Sequence, residues 1–143
     1  MSLKTVRKAL KEQLEEDEDL QSMFSTFVEE KKLKPADLDG ISVRKMGSEE
    51  EKKEFGYGSH IATVYSFEIV CANKRSNIEK GDDAQLLADQ YVREAIRSNT
   101  TLGQVIDFIK TGKTIWGEDA NDNEIYYTIL PVECKLNEDP TDR

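Results

Sequence analysis

The sequence predicts an α+β fold in which a mainly antiparallel sheet of about four strands carries helices packed on one face. Three observations predict it. Residues 59–72 alternate between two faces as a strand does, and residues 84–96 repeat their apolar side chains at helical spacing. The chain has 143 residues, which suits a single domain with one core, so we assign residues 1–143 to one domain.

The N-terminal segment predicts two short helices. Apolar residues follow helical spacing over residues 3–14, and Ser2 is placed to cap the first turn. The acidic run at 15–19 interrupts this stripe, and a new stripe from Leu20 predicts a second helix to about Lys32. The stripe residues are Leu3, Val6, Leu10 and Leu14, followed by Leu20, Met23, Phe24, Phe27 and Val28.

The middle of the chain predicts a short strand, a loop and the long strand already described. Residues 41–46 follow a turn and show mixed alternation, which indicates a short strand. Residues 47–58 are polar, contain three glycines and lack a sustained apolar period. We therefore expect a long mobile loop before the strand at 59–72.

The segment after this strand predicts the most regular helix of the chain. Asp82 and Gln85 are spaced as in a capping box, and Ser98 marks the expected end of the helix. The apolar run at 105–109 predicts another strand, which residues 112–116 either extend or follow with a new one.

The C-terminal segment predicts a final strand and a short tail. Residues 124–136 read as a long strand that contains Pro131. Because proline cannot donate a ladder hydrogen bond, we expect an edge position or a bulge there. Residues 137–143 are polar, and we expect them to be frayed.

Composition disfavours several functional classes. The chain has 20 Lys and Arg against 29 Asp and Glu, a formal net charge of −9, with a pI near 4.7. This balance disfavours sequence-specific binding to nucleic acid, because Lys and Arg supply the phosphate contacts. No stretch approaches the roughly 18 apolar residues of a membrane span, and the N-terminus lacks a signal-peptide core. We expect a cytoplasmic protein without a membrane partner.

The residues that most often carry chemistry do not form a known catalytic, cofactor or metal pattern. His60 is the single histidine and has no nucleophile placed beside it by any motif. Cys71 and Cys134 lack the spacing of a metal site; we expect buried thiols, although the sequence leaves open whether they are adjacent or disulfide-bonded. Residues 119–123 begin like a calcium loop but lack its later glycine and glutamate. Trp116 is expected in the core or at its rim. We predict no enzyme, no cofactor and no metal.

A second set of residues is suited to contact a partner protein. Glu49, Glu50 and Glu51 form an acidic run, which is most often a solvated surface and otherwise a charged face used in assembly. Phe55 and Tyr57 stand beside glycines in a polar segment and have no obvious core to join. These five residues are the candidate contacts to a partner or to other copies of the chain.

The order of elements along the chain is also informative. An N-terminal amphipathic helix and a polar loop precede the strand through residues 64–70 and the helix at 84–96. Leu102-Gly103-Gln104-Val105, a strand, a polar turn and the closing strand at 124–132 follow. This order, over roughly residues 3–136, resembles the tail-terminator (tail-completion) proteins of long-tailed bacteriophages and prophages.

The resemblance implies an α+β subunit that closes into a homo-oligomeric ring of six, caps the growing tail tube and joins it to the head. Its partners would be other copies of itself, tail-tube proteins and head-connector proteins, in the cytoplasm during assembly and in the tail of a functional virion. The loop at 47–58 would reach the neighbouring subunit or the tube. Six copies carry 6 × −9 = −54 charges, so we expect ring closure to weaken at low salt.

Three alternatives remain open at this point. Another head-tail joining component, such as a connector or stopper subunit, would use a similar small α+β body. An acidic inhibitor or adaptor that mimics DNA and occupies a basic groove is supported by the net charge and by the acidic run at 15–19. A small enzyme that uses scattered carboxylates ranks last, because no nucleophile, cofactor loop or ligand cluster emerges.

Overall fold

The computed structural model of the chain describes residues 2–54, 59–74, 78–118 and 125–138. Within these residues, helices α1 (Leu3–Glu16), α2 (Glu18–Met23) and α3 (Ile78–Ser98) accompany a six-stranded sheet. The predicted α+β class is confirmed, with six strands rather than about four. The strands are β1 (Thr26–Glu29), β2 (Gly40–Glu54), β3 (Ser59–Lys74), β4 (Phe108–Thr111), β5 (Ile115–Glu118) and β6 (Ile125–Glu138).

The sheet has the strand order β1-β2-β3-β6-β4, and β5 also pairs with β6. β1 is parallel to β2, and every other pair is antiparallel. β4 pairs with the later half of β6 and β5 with the earlier half, so the two short strands follow each other along one edge. One side of the sheet therefore ends in β1 and β2, and the opposite side ends in β4 and β5.

The core lies between the helices and one face of the sheet. Val6, Leu10 and Leu14 of α1 are fully buried, as are Ala88 and Ala95 of α3. Burial of this apolar surface is the main favourable contribution to folding. The strand residues of the same cluster are Ile41, Val43, Tyr65, Phe67, Ile69, Cys71, Ile109, Leu130, Val132 and Cys134.

The first helix begins at its predicted cap, Ser2, whereas the second is capped by Asp17, which was not predicted, and is shorter than predicted. The Ser2 hydroxyl accepts a hydrogen bond from the Thr5 amide, and the Asp17 carboxylate accepts one from the Leu20 amide. α2 ends at Met23, so its predicted continuation to Lys32 is wrong. The aromatic and β-branched residues of β1 fit a strand as well as a helix, and pairing with β2 decides between the two.

The predicted loop at 47–58 is wrong over its first eight residues. β2 begins as predicted and continues to Glu54, which pairs with Ser59 across four residues that lie outside the described chain. Its side chains from Arg44 to Glu50 are exposed, so this half carries no apolar alternation to mark it as a strand. Backbone pairing with β3 nevertheless satisfies the hydrogen bonds that face it.

α3 ends at Ser98 as predicted, but it begins earlier than predicted, and most of the strand predicted after it is absent. The helix begins at Ile78, four residues before Asp82, and of the predicted strand at 105–109 only the last two residues belong to β4. Leu102 has a positive φ of 51°, and the Ile106 amide donates to Thr101. The chain therefore turns here, and Leu102 and Ile106 enter the core instead of extending a strand.

β6 is an interior strand that contains a proline. It pairs with β3 on one side and with β4 and β5 on the other, so the predicted edge position of Pro131 is wrong. The Pro131 carbonyl accepts from the Gly112 amide at 2.7 Å, between β4 and β5. The N and O atoms of a strand residue face the same neighbouring strand. The Pro131 nitrogen, which has no hydrogen to donate, therefore faces the connection between β4 and β5. Asn137 belongs to β6 and is not frayed, whereas 139–143 lie outside the described residues.

Candidate functional site

The three acidic residues of the predicted contact set lie in a strand and not in a loop. Glu49 and Glu50 are exposed in β2, and Glu51 is the next residue of the same strand. Phe55 and Tyr57 lie outside the described residues. The three acidic positions therefore belong to a paired strand, which fixes their spacing and their register.

β2 is much longer than the strand that pairs with its outer edge. β1 pairs with Gly40–Val43 only. Beyond Lys45, no strand of the described chain pairs with that edge as far as Glu54. A row of backbone N–H and C=O groups is therefore left open to a further strand.

A small ionic network ends β1 and so exposes this edge. Arg7 of α1 donates to Glu29 at 3.0 Å and to Glu30 at 2.8 Å, and the Glu30 carboxylate also accepts from the Lys45 amide at 2.5 Å. Burial alone would raise the pKa of Glu30, but the bonds from Lys45 and Arg7 outweigh it and lower that pKa. Glu30 thereby occupies the position where β1 would otherwise continue along β2.

The opposite edge of the sheet is also open, and it is more apolar. Among the described strands, β4 and β5 pair with β6 alone. Phe108, Ile115 and Trp116 are 53%, 60% and 47% exposed. Trp116 was expected in the core or at its rim and is instead on this exposed strand. Large apolar side chains grouped at one edge are typical of an interaction surface.

The same edge is locally basic on an acidic protein. Lys110 and Lys113 are exposed, and residues 108–117 contain no acidic residue. No carboxylate of the described residues lies within 4 Å of either amine. The two ammonium groups are therefore available to a carboxylate from another molecule.

Arg93 fixes the corner between β4 and β5. Its Nε donates to Asp89 at 3.0 Å, and its terminal nitrogens donate to the Thr111 hydroxyl, the Gly112 carbonyl and the Thr114 hydroxyl at 3.1, 2.9 and 2.8 Å. The Thr114 hydroxyl also bonds the Asp89 carboxylate. The planar guanidinium thus holds the end of β4 and the segment between β4 and β5 against α3.

Gln85 is a second link between α3 and this edge. It was predicted to complete a cap, but α3 begins seven residues earlier and Gln85 is buried inside it. Its side-chain amide donates to the carbonyls of Gly117 at 3.2 Å and Tyr127 at 3.0 Å. No local sequence pattern signals this role, because the bonded residues are 32 and 42 positions away.

The two cysteines are separate buried thiols. In the sheet, Cys71 pairs with Thr128 and Cys134 pairs with Tyr65, so the cysteines are not neighbours and both are free. Burial raises the pKa of Cys134 to about 12. Burial, with a smaller effect of the Asp89 charge, raises the pKa of Cys71 further. The expectation of buried, reduced residues is confirmed.

No group of three or more His, Cys, Asp or Glu side chains in the described ranges is arranged to hold a metal ion. None of the described helices combines the length and the apolar character needed to cross a membrane.

Comparison with known proteins gives a likeness in fold. No protein-family model matches the chain, and no curated protein matches it. Among solved structures, the chain is similar to a chain in the "virion of native gene transfer agent (GTA) particle". The two share a TM-score of 0.51 and 12% sequence identity over 92% of this chain and 94% of that chain. At this identity the comparison establishes a shared fold.

Proposed function

We propose that this protein is a structural component of a tailed phage or prophage particle, and more narrowly a tail terminator. It forms a six-membered ring that caps the tail tube and joins it to the head. The observation that carries this proposal is the fold shared with a chain of a gene transfer agent virion over more than nine tenths of both chains. A likeness of this extent concerns the whole body of the protein and not one motif. The order of elements along the sequence supports the narrower assignment.

The proposed role is structural and not enzymatic. Two arginine networks of the described residues join parts of the fold: Arg7 holds α1 to the end of β1, and Arg93 holds α3 to β4 and to the segment that follows it. The cysteine thiols are buried and have raised pKa values, which opposes nucleophilic chemistry. These groups serve the rigidity of the subunit, which is what a ring component requires.

The shape of the sheet supports a ring. Its two open edges lie on opposite sides of one sheet and differ in character, since β2 beyond Lys45 is mostly polar with charges of both signs and the β4 and β5 edge exposes Phe108, Ile115 and Trp116. A contact between two different surfaces repeats from copy to copy and closes when the rotation per copy divides a full turn. A subunit with one surface of each kind is therefore suited to build a closed ring.

The test is deletion of the gene from the phage or prophage that encodes it, with electron microscopy of the particles. A terminator is needed to stop tube growth, so we expect tails of uncontrolled length and heads without tails. A connector or stopper subunit gives a different result: free tails of normal length beside unjoined heads. Normal, joined particles would contradict both assignments.

One observation favours a second candidate, an acidic adaptor that mimics DNA. Glu15, Glu16, Glu18 and Asp19 are all exposed where α1 meets α2, whereas Asp17 is engaged as the cap of α2. A basic nuclease immobilised on a resin would retain such an adaptor, and duplex DNA would compete it off. Retention that DNA does not affect, or no retention, counts against this candidate.

A further inference from the structure

We propose that the outer face of the sheet, which is turned away from α1 and α3, binds the end of the tail tube along the strands β4, β5 and β6. The matching surface of the tube protein places a carboxylate between two apolar contacts. This inference rests on the proposed ring function and adds the surface through which the ring holds the tube. It does not concern the sheet edges, which are left to contacts between copies.

Strand alternation places two residues of β4 on the outer face. Ile109 packs in the core, so Phe108 and Lys110 on either side of it point away from the helices. Phe108 is 53% exposed, and Lys110 is exposed as well. Glu133 of β6 lies opposite Lys110, but no carboxylate of the described residues lies within 4 Å of that amine. β4 therefore offers one aromatic and one cationic group.

β5 and β6 continue this surface with apolar residues. Leu130 of β6 is a core residue, so Ile129 and Pro131 on either side of it lie on the outer face, where both are half-buried. Ile115 of β5 pairs with Ile129 and is 60% exposed. These residues form a surface that we call the outer strip, which consists of Phe108, Lys110, Ile115, Ile129 and Pro131.

The outer strip has a cation between two apolar ends. Phe108 and Ile115 pair with the β6 residues Lys135 and Ile129, which are six positions apart, so the strip is about 20 Å long at ~3.3 Å per residue. Lys110 lies between the two ends, because it pairs with a β6 residue between theirs. A complementary surface therefore has apolar groups at two separated points and a carboxylate between them.

The chain covers another part of the outer face by itself. Leu33, from the segment between β1 and β2, packs on Ala72 and Ile125, and all three are buried. Within the described ranges, nothing buries Phe108 or Ile115 in the same way, as their exposures show. The outer face is thus closed at one corner and open along the strip, and an open apolar surface of this kind is typical of a docking site for another protein.

The strands of the outer strip are held in place from the helix side. Arg93 donates to the Thr111 hydroxyl and to the Gly112 carbonyl at the end of β4, and Gln85 donates to the Gly117 carbonyl in β5. A surface that is already ordered loses less conformational entropy on binding. In a ring of six the strip is present six times, so contacts of modest strength add up to stable binding.

Charge and position favour the tube over a second copy. Two strips packed against each other across a two-fold axis would bring the Lys110 amines of both copies together near the middle of the contact, and like charges repel. The proposed ring joins copies through the sheet edges, which leaves the outer face to a protein outside the ring. The tail tube is the protein that a terminator has to bind in order to stop growth.

The test is co-sedimentation of the labelled, purified protein with tail tubes isolated from a strain that lacks its gene. Phe108→Thr with Ile115→Thr removes both apolar ends, and Lys110→Glu reverses the charge between them. We expect each variant to need at least a tenfold higher concentration than the wild type to half-saturate the tubes. Lys110→Gln should also make binding less sensitive to salt, because it removes the cation that pairs with the tube carboxylate.

Matched control variants change the same chemistry on the helix side. Leu86 and Leu87 of α3 are 54% and 40% exposed, so Leu86→Gln with Leu87→Gln removes exposed apolar groups, and Lys4→Glu reverses an exposed charge on α1. We expect both controls to bind tubes within threefold of the wild type. Equal weakening in the controls overturns the strip proposal. Circular dichroism and native mass establish the fold and the ring of every variant before binding is compared.

The remaining outcomes separate this inference from the proposed function. Strip variants that bind tubes as the wild type does overturn the inference and leave the ring function standing. Folded strip variants that no longer form the ring show that the strip joins copies, which also overturns it. A wild-type protein that binds no tubes overturns the inference and the tail-terminator assignment together.

Discussion

Arg93 joins α3 to β4 and to the segment between β4 and β5 through one side chain. Arg93→Met should lower the free energy of unfolding by about 1.5–3 kcal/mol, because it removes several hydrogen bonds of a charged group and leaves Asp89 without its cation. The free energy of unfolding of Arg93→Lys should lie between those of Arg93→Met and the wild type, since lysine keeps the charge but lacks the planar guanidinium. Urea denaturation measures both, and an Arg93→Met variant within about 0.5 kcal/mol of the wild type would show that the network is not needed.

The cysteines make the clearest pH-dependent prediction. In the native protein at pH 8, neither Cys71 nor Cys134 should react with a thiol reagent, and both should react in denaturant, because burial keeps the thiols neutral. Folding raises the pKa of each thiol above its ordinary value of about 8.5. The free energy of unfolding is therefore unaffected by the thiols below about pH 8.5 and decreases as the pH rises above that value. Rapid labelling of either thiol in the folded protein would refute this placement.

The environment of a single residue could be predicted from the sequence where that residue type is usually found in one environment. Two isolated cysteines without metal spacing were expected to be buried, and they are. The roles of Arg7 and Arg93 were not predicted, because the groups that bind them include partners 18 to 23 positions away. Such partners become neighbours only through the sheet order, which no local pattern specifies.

The junction of β4 and β5 is the element-level feature most sensitive to added volume. A Cβ at Gly112 would lie 2.8 Å from Cγ of Pro131 and 3.3 Å from its carbonyl oxygen, so Gly112→Ala should destabilise the protein by about 1–3 kcal/mol. Gly117→Ala is the matched control in the neighbouring strand, where an added Cβ meets no atom within 4 Å. In thermal unfolding, Gly112→Ala should have a lower midpoint temperature than Gly117→Ala. Equal stability would mean that the junction adjusts without cost.

Elements with a pattern of their own were predicted, and elements defined by a partner were not. β3 alternates over its length and α3 repeats at helical spacing, so both were found from the sequence. The second half of β2 is polar on both sides and is a strand because β3 pairs with it. β1 was assigned to a helix because four residues are too few to separate the two periods. Because residues 47–54 have no apolar alternation, they were predicted as a loop, and the open edge of β2 was not predicted.

Charge acts on the whole molecule. Each chain carries −9, and a ring of six would carry −54. Net repulsion between subunits extends over the Debye length, about 30 Å at 0.01 M salt and about 8 Å at 0.15 M. The fraction of protein in rings should therefore rise between these salt concentrations, and added magnesium should raise it further. Sedimentation at fixed protein concentration measures this, and a ring fraction independent of salt would argue against repulsion between acidic subunits.

The central claim is that this chain acts as a ring on a phage-like particle, and native mass tests it most directly. Native mass spectrometry across protein concentration at 0.15 M salt, with negative-stain images of the largest species, should show one closed assembly near 98 kDa, six times the 16.3 kDa chain. Images should show an annulus with an open centre. A chain that remains at 16.3 kDa at every concentration and salt, with no annular particles, would contradict the account.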